Sequence, residues 1–192
     1  VHTARTPVFS GDFWSDDVLL DPYPLYRELR ALGPAVWMER HDAWALTHHD
    51  AVRAALVDGE LFSSAKGVAL NDPSNAGAQG TMLSSDDPLH RKLRIVFTKP
   101  LMPPALSSLR DRLTALVEAR VDELMNRDRF DAVTDLAHFL PLTVVTDLVG
   151  LSDDGKLQML RWAAGIFNSM GPITHDRTVQ GLEVTMEAIG YI

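Results

Sequence analysis

The sequence predicts a mainly α fold with a small antiparallel β-sheet near the N-terminus, an α+β arrangement in which helices dominate. Apolar residues recur at helical spacing through most of the chain, with capping residues before the runs and Gly or Pro after them. Only two short stretches, AVWMER (35–40) and AWALTH (43–48), have the Val, Trp and Ala content of paired strands. With 46% hydrophobic and 23% charged residues the chain can bury a core, which rules out disorder as its overall state.

The elements follow in order. Asp21-Pro22-Tyr23-Pro24 opens a helix in which Leu25, Leu29 and Leu32 share a face, and Gly33-Pro34 stops it. His41-Asp42 separates the two strand candidates and suggests a hairpin. Asp50 can cap a short helix through Leu56, ended by Asp58-Gly59. From Phe62 to Met82 the Gly, Ser, Asn, Asp and Pro content predicts a loop, long enough to suggest function. A long amphipathic helix is expected from about Leu106 to Met125, with Leu109, Leu113, Leu116 and Val117 inward. The RFDAV stretch reads as a strand candidate. Thr134 or Asp135 caps an apolar run to Val149 that Gly150 closes, with Pro141 at a kink or at the true start. Ser152 or Asp153 begins a helix through Phe167, and a last helix runs from Asp176 to Ile192. No internal repeat divides the 192 residues, which read as one domain or part of one.

Charge and composition exclude several classes. Lys and Arg total 18 against 26 Asp and Glu, so general attraction to nucleic acid or to an anionic membrane is not expected. The absence of cysteine removes disulfides, thiolate zinc sites and thiol nucleophiles from this stretch and fits a cytoplasmic protein. No run approaches the roughly 18 apolar residues of a membrane span, and the first residues lack the apolar region of a signal peptide. His2, His41, His48, His49, His138 and His175 have no partners at ligand spacing, so no metal site is expected among them.

The stretch SSDDPLHRKLRIVF (84–97) carries the chemistry. With Asp87 as the cap and Pro88 at the first helical position, Leu89, Leu93, Val96 and Phe97 form one apolar face, bordered by His90 and Arg94 one turn apart. An imidazole and a guanidinium beside an apolar surface suit a flat amphiphilic anion such as haem, whose two carboxylates need two donors. Spacing alone also allows a second reading, in which the pair are boundary residues with Asp86 and Asp87 as local partners. From 91 to 112 the chain is basic: Arg91, Lys92, Arg94, Lys99, Arg110 and Arg112 stand against one acid, Asp111.

The run Asp87-Pro88-Leu89-His90-Arg91-Lys92-Leu93-Arg94, followed by Phe97 and Pro100-Leu101, resembles the D-x-P-x-H-x-x-x-R segment of soluble bacterial cytochromes P-450, the haem-thiolate monooxygenases. DPYPLYRELRALGPAVW, HHDAVRAAL, ELFSS and PLTVVTDLVGLS resemble further segments of that family in the same order. The resemblance implies the N-terminal part, residues 1–192, of a single P-450 domain. It implies haem b as cofactor, with His90 and Arg94 binding the propionates. No catalytic residue and no iron ligand is expected within these residues, since the distal acid and threonine, the E-x-x-R pair and the ligating cysteine have no counterpart here. The complete protein would use dioxygen and electrons from an acidic ferredoxin and its reductase to hydroxylate or O-demethylate a small aromatic substrate.

FSSAKGVALND (62–72) and IFNSMGP (166–172) resemble the two access-side segments of bacterial P-450 enzymes acting on para-substituted aromatic acids. That likeness implies Lys66 near a substrate carboxylate and Val68, Leu70, Phe167 and Met170 against a ring. A lysine there holds a carboxylate as a point charge, less specifically than a bidentate arginine. Arg91, Lys92, Lys99 and Arg110 are the expected ferredoxin-docking face. From a different class, a non-catalytic helical module binding haem or a small molecule also fits these residues.

Overall fold

A computed structural model of the chain describes residues 6–191, apart from the side chains at 100, 104–106, 108 and 147. Strand β1 is Val8–Phe9, β2 is Ala35–Met38 and β3 is Ala43–Leu46. Alternation along β2 sends Val36 and Met38 to the interior, and Trp37 lies opposite Trp44 with ring centroids 5.3 Å apart. β2 and β3 form the expected antiparallel hairpin, closed by a left-handed Asp42 with φ 48°. β1 adds beside β2 in parallel, so the sheet is mixed rather than purely antiparallel. A two-residue strand has no alternation to read, which is why sequence pattern does not disclose it.

Helix α1 is Asp16–Leu20 and α2 is Tyr23–Leu32, with Pro24 in its first turn and Gly33, at φ 143°, after its end. Leu25 and Leu29, one turn apart on α2, pack on Val36 and Met38, and Phe9, Phe13, Val18 and Ala45 surround that core. Helix α3 is His49–Val57, and α4, Asp72–Ala78, lies inside the stretch expected to be loop. The remaining helices are α5 (Leu89–Thr98), α6 (Pro103–Met125), α7 (Phe139–Val149), α8 (Asp153–Asn168) and α9 (Asp176–Tyr191).

The RFDAV stretch is not a strand. Residues Ala132–Ala137 form a wide helical turn whose Asp131 carboxylate accepts the Val133 and Thr134 N–H groups at 2.9 and 2.8 Å, a local cap that outcompetes extended pairing. Pro141 falls in the first turn of α7, where its missing N–H has no intrahelical partner to lose. Ser152 caps α8 through its hydroxyl, which accepts the Gly155 N–H.

α8 and α9 pack closely because glycines meet at their crossing. A Cβ on Gly181 would lie 2.6 Å from the Ser169 amide nitrogen and 2.8 Å from the Gly165 carbonyl oxygen, both immobile backbone atoms. Further along, Glu187 accepts from the Trp162 indole N–H at 3.1 Å and from Arg161, which together hold its carboxyl below the usual range.

Several of the histidines stand beside carboxylates in the fold, a contact that spacing along the sequence does not show. Asp12, in the segment after β1, lies 3.5 Å from His41 and 3.3 Å from both His175 and Arg40, and it also accepts the Trp14 N–H at 2.9 Å. His49 meets its neighbour Asp50 at 3.0 Å, and His2 lies outside the described residues. Among the described residues, no three His, Cys, Asp or Glu side chains are arranged to hold a metal ion. The His41 ring is buried and accepts the Phe13 N–H at 3.0 Å, an arrangement that requires a neutral nitrogen. Burial holds its pKa below the ordinary value, against the opposing pull of Asp12.

Two outcomes follow for the full-length protein. Because the unfolded chain binds the His41 proton more readily than the folded one, stability declines as pH falls below about 6.5. Thermal melts between pH 7 and 5.5 should therefore show a slope of a few degrees that His41→Gln flattens; equal slopes in the two proteins would refute the assignment. Gly181→Ala should lower stability by about 1–3 kcal/mol, read from denaturant unfolding, because backbone cannot yield to the added methyl.

Candidate functional site

The start of α5 is set by two aspartates with separate tasks. Asp86 accepts the Ser64 N–H at 2.9 Å and the Ser63 hydroxyl, while its backbone carbonyl accepts the His90 N–H at 2.9 Å. The Ser63 hydroxyl first, then the Ser64 amide, hold the Asp86 carboxyl below the usual carboxylate range. This carboxylate ties the start of the 62–82 segment to the helix. Asp87, expected as the cap, instead pairs with Arg91 at 2.8 Å, and the helix begins at Leu89 with Pro88 in the cap position.

His90 and Arg94 come together as the spacing requires. They line one cavity of about 800 Å³ whose other walls include Leu56, Val57, Phe62 and Met82. They also border a groove of about 530 Å³ along α5 with Ile95, Thr98, Lys99 and Met102. The His90 Nδ1 atom is 3.9 Å from Asp87, beyond hydrogen-bond reach, and among the described residues the Arg94 guanidinium forms no ion pair or hydrogen bond. Two donors one turn apart border a cavity that mixes the apolar Leu56, Val57, Phe62 and Met82 with the acids Glu60, Asp86 and Asp87, and an imidazole and a guanidinium placed so can donate to the carboxylate edge of a haem.

The apolar stripe of α5 is placed differently from expectation. Leu93 is half-buried, but Leu89, Val96 and Phe97 are exposed. On α6, Leu109, Leu113 and Val117 line an open groove with Val144 and Leu148 of α7 rather than a closed core.

The two access-side segments meet. Between Ser64 and Asn75 the chain is shaped by side chains: the Asn75 amide donates to the Ala69 carbonyl at 3.0 Å and accepts the Ala69 N–H at 2.8 Å, a stand-in for a strand partner. Gly67 sits beneath it at φ 122°, where a Cβ would come within 2.1 Å of Asn75. Val68 and Leu70 thereby join Phe167 and Met170 in one cavity of about 350 Å³, completed by Phe13, Trp14, Met38, His41 and Trp44. Lys66 is exposed and is not part of that lining.

The basic residues do not share one groove. Arg91 and Lys99 border the groove beside Arg94, Arg110 borders the one between α6 and α7, and Lys92 is exposed on α5. Sequence reasoning missed Asn71, whose signal was present in Asn71-Asp72-Pro73, a cap followed by an early proline. It also missed Trp14, Trp44 and His41, which no local pattern connects to residue 68 or 170.

No protein-family profile matches the chain. It is 34% identical over 175 residues to cytochrome P450 CYP199A2 of Rhodopseudomonas palustris, covering 89% of this chain and 42% of that protein. It is 30% identical over 166 residues to the cytochrome P450 monooxygenase PikC of Streptomyces venezuelae, covering 83% and 40% respectively. Among solved structures, P450BioI in complex with an acyl carrier protein superposes with a TM-score of 0.74 at 21% identity, over 92% of this chain and 48% of that one. Cytochrome P450 CREJ, solved with (4-ethylphenyl) dihydrogen phosphate, gives 0.70 at 23% identity over 87% and 45%. The chain thus spans less than half the length of the curated relatives it matches. With named relatives along most of its sequence and the same architecture in space, the chain belongs to the cytochrome P450 family.

Proposed function

We propose that the chain is the N-terminal portion of a single-domain, cytoplasmic haem monooxygenase that hydroxylates or O-demethylates a small aromatic acid. The observation that carries this reading is the His90–Arg94 pair, which faces one cavity while Asp86 is engaged by Ser63 and Ser64 and Asp87 by Arg91. The competing reading of the pair as boundary residues takes those two acids as partners; it has His90 at 3.9 Å from Asp87 in its favour, but the Arg94 guanidinium pairs with neither acid.

His90 and Arg94 would donate charge-assisted hydrogen bonds to the haem propionates, fixing the edge of the ring. Haem, when bound with a thiolate ligand, supplies the binding and reductive activation of dioxygen; the chain has no cysteine, so that ligand lies outside these residues. Val68, Leu70, Phe167 and Met170 present an apolar cavity of about 350 Å³, at the small end for ligand sites and suited to one substituted ring. Lys66, exposed beside that cavity's loop, would draw in the substrate carboxylate. Arg91, Lys92, Lys99 and Arg110 would steer an acidic ferredoxin to the protein, an attraction that salt screens.

In the full-length protein, replacing both His90 and Arg94 by Ala should reduce haem occupancy by roughly ten-fold or more at limiting haem, since two hydrogen bonds to charged groups are lost. Haem content is read from the absorbance ratio of purified protein, and an unchanged ratio removes the assignment. Lys66→Ala should weaken binding of 4-methoxybenzoate by about three- to ten-fold while leaving its neutral amide nearly unaffected. Equal losses for acid and amide would mean that Lys66 is a solvated loop residue.

A further inference from the structure

The two walls of the 350 Å³ cavity come from distant parts of the chain, and two of the four polar contacts between them come from one side chain. Asn71 is 6% exposed. Its two amide hydrogens go to the carbonyls of Ser169, at 2.7 Å, and Gly171, at 2.8 Å, while its oxygen accepts the Ser74 N–H at 2.9 Å. The Leu70 N–H takes the carbonyl between them, Met170, at 2.9 Å, and the Ser74 hydroxyl adds a bond to Ser169 at 2.7 Å. These three carbonyls lie just past the C-terminus of α8, where no intrahelical donor reaches them. A donor pair supplied from residue 71 therefore fixes where the chain leaves α8, and with it Phe167 and Met170.

We propose that Asn71 is a positioning residue: by pinning residues 169–171 to residues 70–74 it sets the separation of the Val68–Leu70 wall from the Phe167–Met170 wall, and so selects ring-bearing ligands by size. The size selection rests on the aromatic-ligand reading above; the pinning itself does not. Asn71 has no contact role with the ligand in this account, because its amide is wholly spent on backbone groups.

Asn71→Asp in the full-length protein separates the two tasks of this residue, since aspartate retains the oxygen that caps α4 and loses both donors to α8. Hydrogen exchange at Leu70, Met170 and Gly171 should accelerate by roughly ten-fold or more while α4 amides keep their protection. Across benzoate, 4-methylbenzoate and 4-tert-butylbenzoate, the ratio of dissociation constants should shift several-fold in favour of the bulkiest acid. Ser74→Ala, a milder variant that removes one bond to Ser169, should shift exchange in the same direction. Wild-type exchange at Met170 and Gly171 in both variants, or unchanged ratios of dissociation constants among the acids that do bind, overturns the proposal. If none of the three acids binds the wild-type protein, the aromatic-acid reading falls and the exchange comparison alone decides the pinning.

Discussion

A segment with little regular structure holds one shape only if its backbone amides and carbonyls find other partners, and on either side of α4, between Phe62 and Asp87, side chains supply several of them. Asn75 pairs with Ala69, Asn71 with Ser74 and the end of α8, and Asp86 with Ser63 and Ser64. Each of these groups is short and polar, able to mimic a missing strand or helix neighbour. The consequence reaches both candidate sites. Asp86 anchors the same helix start that presents His90 and Arg94, and Asn71 and Asn75 shape the wall that presents Val68 and Leu70.

The electrostatics of α5 depend on how those acids are used. The chain is acidic overall, and Asp86 and Asp87 precede the basic helix directly. Had both turned towards His90 and Arg94, the pair would be neutralised within the protein and poorly placed to meet an external carboxylate. Instead one acid is drawn into loop hydrogen bonds and the other into an i,i+4 pair with Arg91. Arg94 is left without an acid partner among the described residues, and His90 keeps only a 3.9 Å approach to Asp87, in a cavity of mixed apolar and acidic lining.

Burial is distributed unevenly. The sheet and α2 share a small core, and α8 lies on α9 through a glycine crossing, whereas Ile95, Val96 and Phe97 of α5 and Leu148 of α7 are exposed. Exposed apolar faces of this extent are characteristic of surfaces that meet other structure. They accord with a chain that spans less than half the length of its relatives.

The sequence by itself determined the elements whose causes are local. Leu25 and Leu29 on α2, the hairpin about Asp42, a helix start at Ser152 or Asp153 and the adjacency of His90 and Arg94 all follow from spacings of a few residues, where backbone periodicity dictates which side chains meet. The family resemblance went further, placing Val68, Leu70, Phe167 and Met170 in two segments that the fold joins in one cavity. Tertiary structure alone decided the parallel β1 strand, the sharing of Asp12 by His41 and His175, the outward position of Lys66 and the span of Asn71 from α4 to α8. In each, a polar group or a two-residue strand finds its partner far along the chain, and hydrogen bonding at a distance leaves no period in the sequence to announce it.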